Sequence, residues 1–168
     1  MAKKQKTLDD LFHETLKDIY YAEKKILKAL PKMSKGANAQ ELSAAFEKHR
    51  QETEEQVARL EQIFDMLGKP ARGKTCPAID GILKEGSEIL DEFKGAPALD
   101  AGLLAAAQAV EHYEIARYGT LLAWATALGM NDAAALLKVT LNEEEATDEA
   151  LSQLAESGVN DEALRQAA

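Results

Sequence analysis

Acidic residues recur in this chain at positions where a helix would turn them inward. In "AVEHYEIA" (109–116), Glu111 and Glu114 stand three apart among small and apolar residues. They share a track of three- and four-residue steps: Leu104, Ala107, Glu111, Glu114, Tyr118, Leu121, Ala125, Leu128. A second track, Leu16, Tyr20, Glu23, Leu27, Leu30, sets Glu23 between apolar neighbours, and a third, Leu137, Leu141, Glu144, Asp148, Leu151, Ala155, carries Glu144 and Asp148. No lysine or arginine falls on these tracks, so five carboxylates lack an internal counter-ion. Unpaired buried carboxylates are costly and raise one another's pKa, and a divalent cation resolves both problems. Oxygen-rich sites favour iron, manganese, magnesium or calcium, and an imidazole shifts the preference toward transition metals.

Another track, Leu42, Phe46, His49, Thr53, Gln56, Leu60, supplies the remaining inventory, with Glu52 and Glu55 beside it. His49 is the one histidine on a core track and reads either as a hydrogen-bonded core residue or as an additional ligand. Each acid has a plainer alternative. The apolar face around Glu111 and Glu114 could centre on Val110 and Leu121, leaving one of the pair in solvent. Glu144 lies in the run Glu143-Glu144-Glu145, a wet acidic face unless the register of Leu137, Leu141 and Leu151 turns it inward. His112 projects about 100° from Glu111 toward solvent or a partner chain, and His13 reads as ordinary surface.

The elements that must position these residues are all helical. Apolar periodicity predicts a first helix from about Leu8 to Lys35, which Pro31 could kink or shorten, and a second from about Ala39 to Leu67 with Gly68 as its stop. The short break at Ser34–Asn38 makes them an antiparallel hairpin. Lys69–Ala98, rich in Gly and Pro, reads as a crossover in which Ile79, Ile82, Leu83, Ile89, Leu90 and Phe93 form one short amphipathic helix. Asp100 caps or opens a third long helix to about Leu128, and after Gly129 the cap Asn131 begins a fourth that runs to about Ser157 and ends at Gly158. The expectation is an all-α four-helix bundle of two hairpins joined by one long crossover, the single-crossover topology of ferritin-like folds. A basic tail at about 1–7 and a loose tail from Val159 to the end complete a single domain, 1–168.

Composition narrows the function. With 46% hydrophobic residues the 168-residue chain can bury a real core, and its formal charge of −9 disfavours nucleic acid and anionic membranes as partners. One cysteine, Cys76, at a loop or helix start, excludes an internal disulfide framework and fits a reducing, cytoplasmic setting. No apolar run is long enough to span a membrane. Three histidines and one cysteine leave few candidates for nucleophilic triads, and no phosphate-binding glycine motif is present.

The segments "DIYYAEKKILKALPKM" (18–33), "HRQETEEQVARLEQIF" (49–64), "LDAGLLAAAQAVEHYEIARYGTL" (99–121) and "LNEEEATDEAL" (141–151) resemble the YciE/YciF-like stress proteins, a ferritin-like family of poorly defined function. The resemblance covers nearly the whole chain. It implies a bundle with a short extra helix in the crossover, similarity to rubrerythrin-type di-iron proteins, and a homodimer. The departure from the di-iron pattern is equally definite. Such a bundle takes a Glu from each of two helices and Glu-x-x-His from each of the others. Glu23 and Glu111 can serve as the single glutamates, but the second helix offers Thr53-x-x-Gln56 or, beside it, Glu52-x-x-Glu55, and the fourth offers Glu144 with Asp148. Gln56 is a weak oxygen donor, and Thr53 fits better as a hydrogen-bonding support.

Two classes follow. In the first, Glu23, Glu111, Glu114 and Glu144, completed by Gln56, Asp148 or His49, hold two iron or manganese ions that handle iron oxidation or peroxide, with Tyr20 and Tyr118 tuning or protecting the site and oxygen or peroxide as oxidant. In the second, a non-catalytic dimeric stress protein keeps a degenerate or single-ion site. Mineral storage finds no support, because nothing in the sequence argues for a cage.

Overall fold

A computed structural model describes residues 5–166. Residues 1–4, most of the expected basic tail, lie outside the described residues, and Thr7 is the N-cap of α1 (Leu8–Gly36). The Thr7 hydroxyl accepts the Asp10 N–H at 3.3 Å while the Asp10 carboxylate accepts the Thr7 N–H at 2.9 Å, a reciprocal capping box. Pro31 lies inside α1, which continues through it for another turn.

A three-residue link leads into α2 (Gln40–Met66), and the crossover carries α3 (Pro77–Glu92), with Cys76 as N-cap and Pro77 in the first turn, where its missing N–H costs nothing. The second hairpin is α4 (Leu99–Ala127) and α5 (Asn131–Leu154). Helices α2 and α4 end in the same way. Gly68 (φ 61°) and Gly129 (φ 72°) take the left-handed conformation. Behind them the Lys69 N–H reaches Phe64 O and the Met130 N–H reaches Ala125 O, closing the chain back on the last turn.

Side-chain pairings fix the arrangement. Ser34 meets Ser43 near the first turn and Tyr20 meets Glu61 far from it, so α1 and α2 are antiparallel. Gln108–Ser152 and His112–Asp148 set α4 against α5 in the same sense. Gln56–Glu144 joins α2 to α5, Tyr118–Glu23 joins α4 to α1, and α3 lies over α1 and α4, held by Tyr21–Asp80 and Lys32–Ser87. The expected two-hairpin bundle with a helix in its crossover is present. Among the described residues no helix is long and apolar enough to cross a membrane.

Three expectations at helix ends need correction. Of the two roles expected for Asp100, opening α4 holds, since it lies in the first turn, but capping does not: the N-cap is Ala98, and the Asp100 carboxylate accepts the N–H groups of Asn38 and Ala39 at 2.8 and 2.6 Å, capping α2 from across the bundle. Asn131 is the first residue of α5, and Met130 its N-cap. The last helix does not stop at Gly158. Its α-helical part ends at Leu154, a π-helical turn spans Ala155–Val159, and α6 (Asn160–Gln166) follows where a loose tail was expected. The wider turn absorbs the glycine, and acidic Asp161 and Glu162 suit the start of a new helix.

The Asp100 contact predicts that Asp100→Ala lowers stability by about 1 kcal/mol through the start of α2, as loss of a cap does. Gly129→Ala should cost about 1 kcal/mol or more, because φ there is positive. Both are read as a lower midpoint in thermal or urea unfolding.

Candidate metal centre

Midway along the four long helices the apolar core gives way to a polar layer. In α1 the buried residues run Phe12, Leu16, Ile19, Tyr20, then Glu23, then Ile26 and Leu30. Helix α2 buries His49, Thr53 and Gln56 between Phe46 and Leu60; α4 buries Glu111, Glu114 and Tyr118 between Val110 and Leu121; α5 buries Thr140, Glu144 and Thr147 among leucines. Because neighbouring helices are antiparallel, these mid-helix positions meet at one level. Glu111 and Glu114 both face inward, at 2% and 0% exposure, which settles the question their sequence context left open. Glu23 and Glu144 are fully buried.

One ligand atom from each of His49, Glu111, Glu114 and Glu144 lies within 4.8 Å of the other three. His49 Nε2 is 3.5 Å from Glu111 Oε1 and 3.9 Å from Glu114 Oε2. Glu23 adjoins this group, with Tyr118 OH donating to its Oε1. Much of the hydrogen-bonding capacity here is unused. Both ring nitrogens of His49, both oxygens of Glu114, and one oxygen each of Glu23, Glu111, Glu144 and Gln56 are buried without a hydrogen-bond partner. Orphaned buried atoms are rare in folded proteins, and here all but those of His13 and Asp148 converge on one place. Among the described residues no lysine or arginine pairs with Glu23, Glu111, Glu114 or Glu144.

The remaining sequence candidates fall around this group. Gln56 donates through Nε2 to Glu144 and, at 3.2 Å, to Glu143, leaving its carbonyl oxygen unpartnered. Thr53 donates to the His49 carbonyl at 2.8 Å, one turn back on its own helix. Asp148 stands outside the cluster at the rim, 3.2 Å from exposed His112, because the inward track of α5 steps from Glu144 to Thr147. Glu52 is also at the rim, paired with Lys48 at 2.9 Å and accepting from Thr147 at 3.5 Å. Tyr20 turns away: its hydroxyl donates to Glu61 at 2.7 Å and its ring lies edge-on to Phe64, so only Tyr118 of the two tyrosines touches the cluster. His13, expected on the surface, is half-buried with its ring 6.1 Å from Phe64.

Sequence reasoning missed Arg59 and Glu143. The Arg59 guanidinium grips Glu143 with two bonds of 2.6 and 2.7 Å, and Glu143 fixes the Gln56 amide. A signal existed, since Arg59 follows Gln56 by three residues and Glu143 precedes Glu144, but neither lies on a core track.

Electrostatics follow from burial. Desolvation, reinforced by Glu144, pushes Glu23 up to about 8, and burial likewise pushes Glu111 to about 8. Glu114 and Glu144 are driven well above the carboxylate range, first by burial and then by neighbouring acids; burial and Glu23 raise Tyr118. A histidine this close to Glu111 would ordinarily gain a proton, yet burial and Lys48 bring His49 down to about 4. The lowered value is consistent with the rest of the site, because protonated glutamates offer an imidazolium no charge and neither ring nitrogen is hydrogen-bonded. At neutral pH the metal-free cluster is thus neutral imidazole among protonated acids. The donors fit a metal: carboxylate oxygens with an imidazole suit iron or manganese, and the unused atoms are those a cation would engage.

A helical bundle with carboxylates and an imidazole gathered at its middle places this chain among the carboxylate-cored four-helix bundles. The chain belongs to the family described as a domain of unknown function, DUF892, which it matches over residues 7–164. It is 42% identical over 163 residues to Protein YciF of Escherichia coli (strain K12), covering 96% of this chain and 98% of that one. The crystal structure of the E. coli stress protein YciF matches with a TM-score of 0.88, covering 93% of this chain and 99% of that one. YcfI from Rhodopseudomonas palustris matches with a TM-score of 0.85 and 48% identity over 90% of this chain and 97% of its own. A protein from Xanthomonas campestris pv. campestris, 21% identical, shares the fold with a TM-score of 0.73 over 96% of this chain and all of that one (100%). The resemblance to the YciE/YciF proteins therefore holds.

The raised glutamates set a pH dependence for the chelated protein. Glu23 and Glu111 titrate near 8 when folded against an ordinary 4.5, so between those values the folded state holds more protons and stability falls as pH rises. Below 4.5 this effect is flat, being fully protonated in both states. His49 opposes it only between about 4 and 6.5, where the unfolded chain takes the proton that the folded one refuses. Melting temperature in chelator should drop between pH 6.5 and about 8; a rise over that interval would contradict the protonated cluster.

Proposed function

We propose that the cluster is a dinuclear metal centre of iron or manganese, held by Glu23, Glu111, Glu114 and Glu144 with His49, and that the protein uses it to oxidise ferrous iron or dispose of oxidant under stress. The observation that carries this reading is the convergence of unpartnered acid and imidazole atoms in a core without a basic counter-ion. Charge supports the nuclearity, since four ionised glutamates balance two divalent ions. Similarity to the E. coli stress protein YciF supports the setting. When bound, such ions supply redox and Lewis-acid chemistry.

The chain's own residues have separable tasks. The glutamates give up their protons as cations enter, so uptake releases protons and strengthens with pH. Buried, neutral His49 is already in the ligating state. Tyr118 steadies Glu23 by donating to it, and Gln56, fixed through Glu143 and Arg59, orients Glu144. A homodimer, implied by the family resemblance, and a cytoplasmic setting, suggested by the single cysteine, are part of the proposal.

One observation favours the alternative of a non-catalytic stress protein with a degenerate or single-ion site. Thr53 and Gln56 occupy the α2 positions where an acid and an imidazole would complete the di-iron pattern, and Thr53 is spent on the His49 carbonyl.

Elemental analysis of protein purified without chelator should find about two ions per chain, falling by at least half in Glu144→Gln. That substitution resembles the protonated acid, so the chelated variant should fold and lose the pH sensitivity that Glu144 contributes. Metal near zero in the parent would overturn the reading. Metal with no acceleration of ferrous oxidation over free iron would favour the alternative. Metal-loaded parent should melt higher than the chelated form, since the ions bind the folded state.

A further inference from the structure

Between the crossover helix α3 and the bundle lies a cavity of about 40 Å³, bounded by α1, α2, α4 and α5 as well. Its inner end is His49 and Glu111, two members of the cluster; Ile26, Phe46 and Val110 form walls, and half-buried Met33 and Leu83 its outer side. Apart from His49, Glu111 and Thr147, every side chain lining it is apolar. At roughly 10–15 Å³ for each water-sized occupant, about three would fit, but the two to four polar partners, roughly, that a buried water needs are found only at the inner end, at His49, Glu111 and Thr147, and the rest of the walls offer none. An apolar gas surrenders no hydrogen bonds on leaving water. Hydrogen peroxide, a donor and acceptor at both ends, would lose its own with little return.

We propose that this cavity takes up dioxygen and holds it against the His49–Glu111 edge of the cluster, which makes dioxygen, rather than peroxide, the oxidant the fold admits from this side. Its role as a supply line rests on the metal reading above; its occupancy by an apolar gas does not.

Xenon is the probe, because it shares the lack of polarity and needs no metal. Metal-free parent under xenon pressure should show a bound-xenon signal by NMR and xenon density in crystals between Ile26 and Val110. Two filling variants, Ala107→Leu and Ala29→Phe, with helicity matched to the parent by circular dichroism, should lose it. In iron-loaded protein the same variants should raise the KM for dioxygen several-fold and leave the rate with hydrogen peroxide unchanged. No xenon uptake by the folded parent would overturn the proposal even if both variants misfolded, and so would equal slowing with both oxidants. A parent that takes up xenon but binds no iron would overturn the metal reading alone.

Discussion

Four glutamates closed off from water, with no basic partner among the described residues, are the constraint around which this bundle is arranged. Burying a carboxylate is unfavourable unless it is protonated or meets a cation, and the acids here raise one another's proton affinity. The fold tolerates that layer because each long helix carries apolar side chains on both sides of it. Phe12, Leu16 and Ile19 precede Glu23, while Ile26 and Leu30 follow it. Packing above and below holds the layer in register, so the acids stay together whether proton or metal neutralises them.

The surroundings of the acids are uneven. Glu23 has a committed donor in Tyr118 and Glu144 has one in Gln56, whereas Glu114 has only its fellow acids to pair with. The Arg59–Glu143 pair restricts the amide of Gln56, directing its nitrogen to the acids of α5 and leaving its oxygen available. This half-buried ion pair thereby acquires a role through what it orients.

The fold was largely legible because hydrophobic periodicity and glycine stops are local signals: Gly68 and Gly129 end their helices as read, and the crossover helix lies where its apolar residues indicate. Caps were less legible, because Asp100 serves a helix sixty residues away in sequence, roughly, and Gly158 is absorbed by a π turn that no local rule anticipates. At the site, Glu23, Glu111, Glu114 and Glu144 could be read from single tracks. Asp148 could not, since a three- or four-residue step after Glu144 decides between Thr147 and Asp148, and only packing makes that choice. His49 was ambiguous for the same reason: one helix shows that it is buried but not which acids face it.

Helix length has a consequence for traffic. Glu23 lies fifteen residues into the 29-residue α1, so at 1.5 Å per residue it sits about 20 Å from either end of that helix. Both ends are also tied by hydrogen bonds, through the Asp100 cap at one and the glycine turns at the other. Anything exchanged with the middle must therefore pass sideways between helices, through a flank rather than along the axis. The gaps between helices are not alike: where α3 overlies the bundle the lining is apolar, and at the rim between α2, α4 and α5 stand His112, Asp148 and Glu52. The molecule thus has chemically distinct sides, one lined by apolar side chains and one edged with acids.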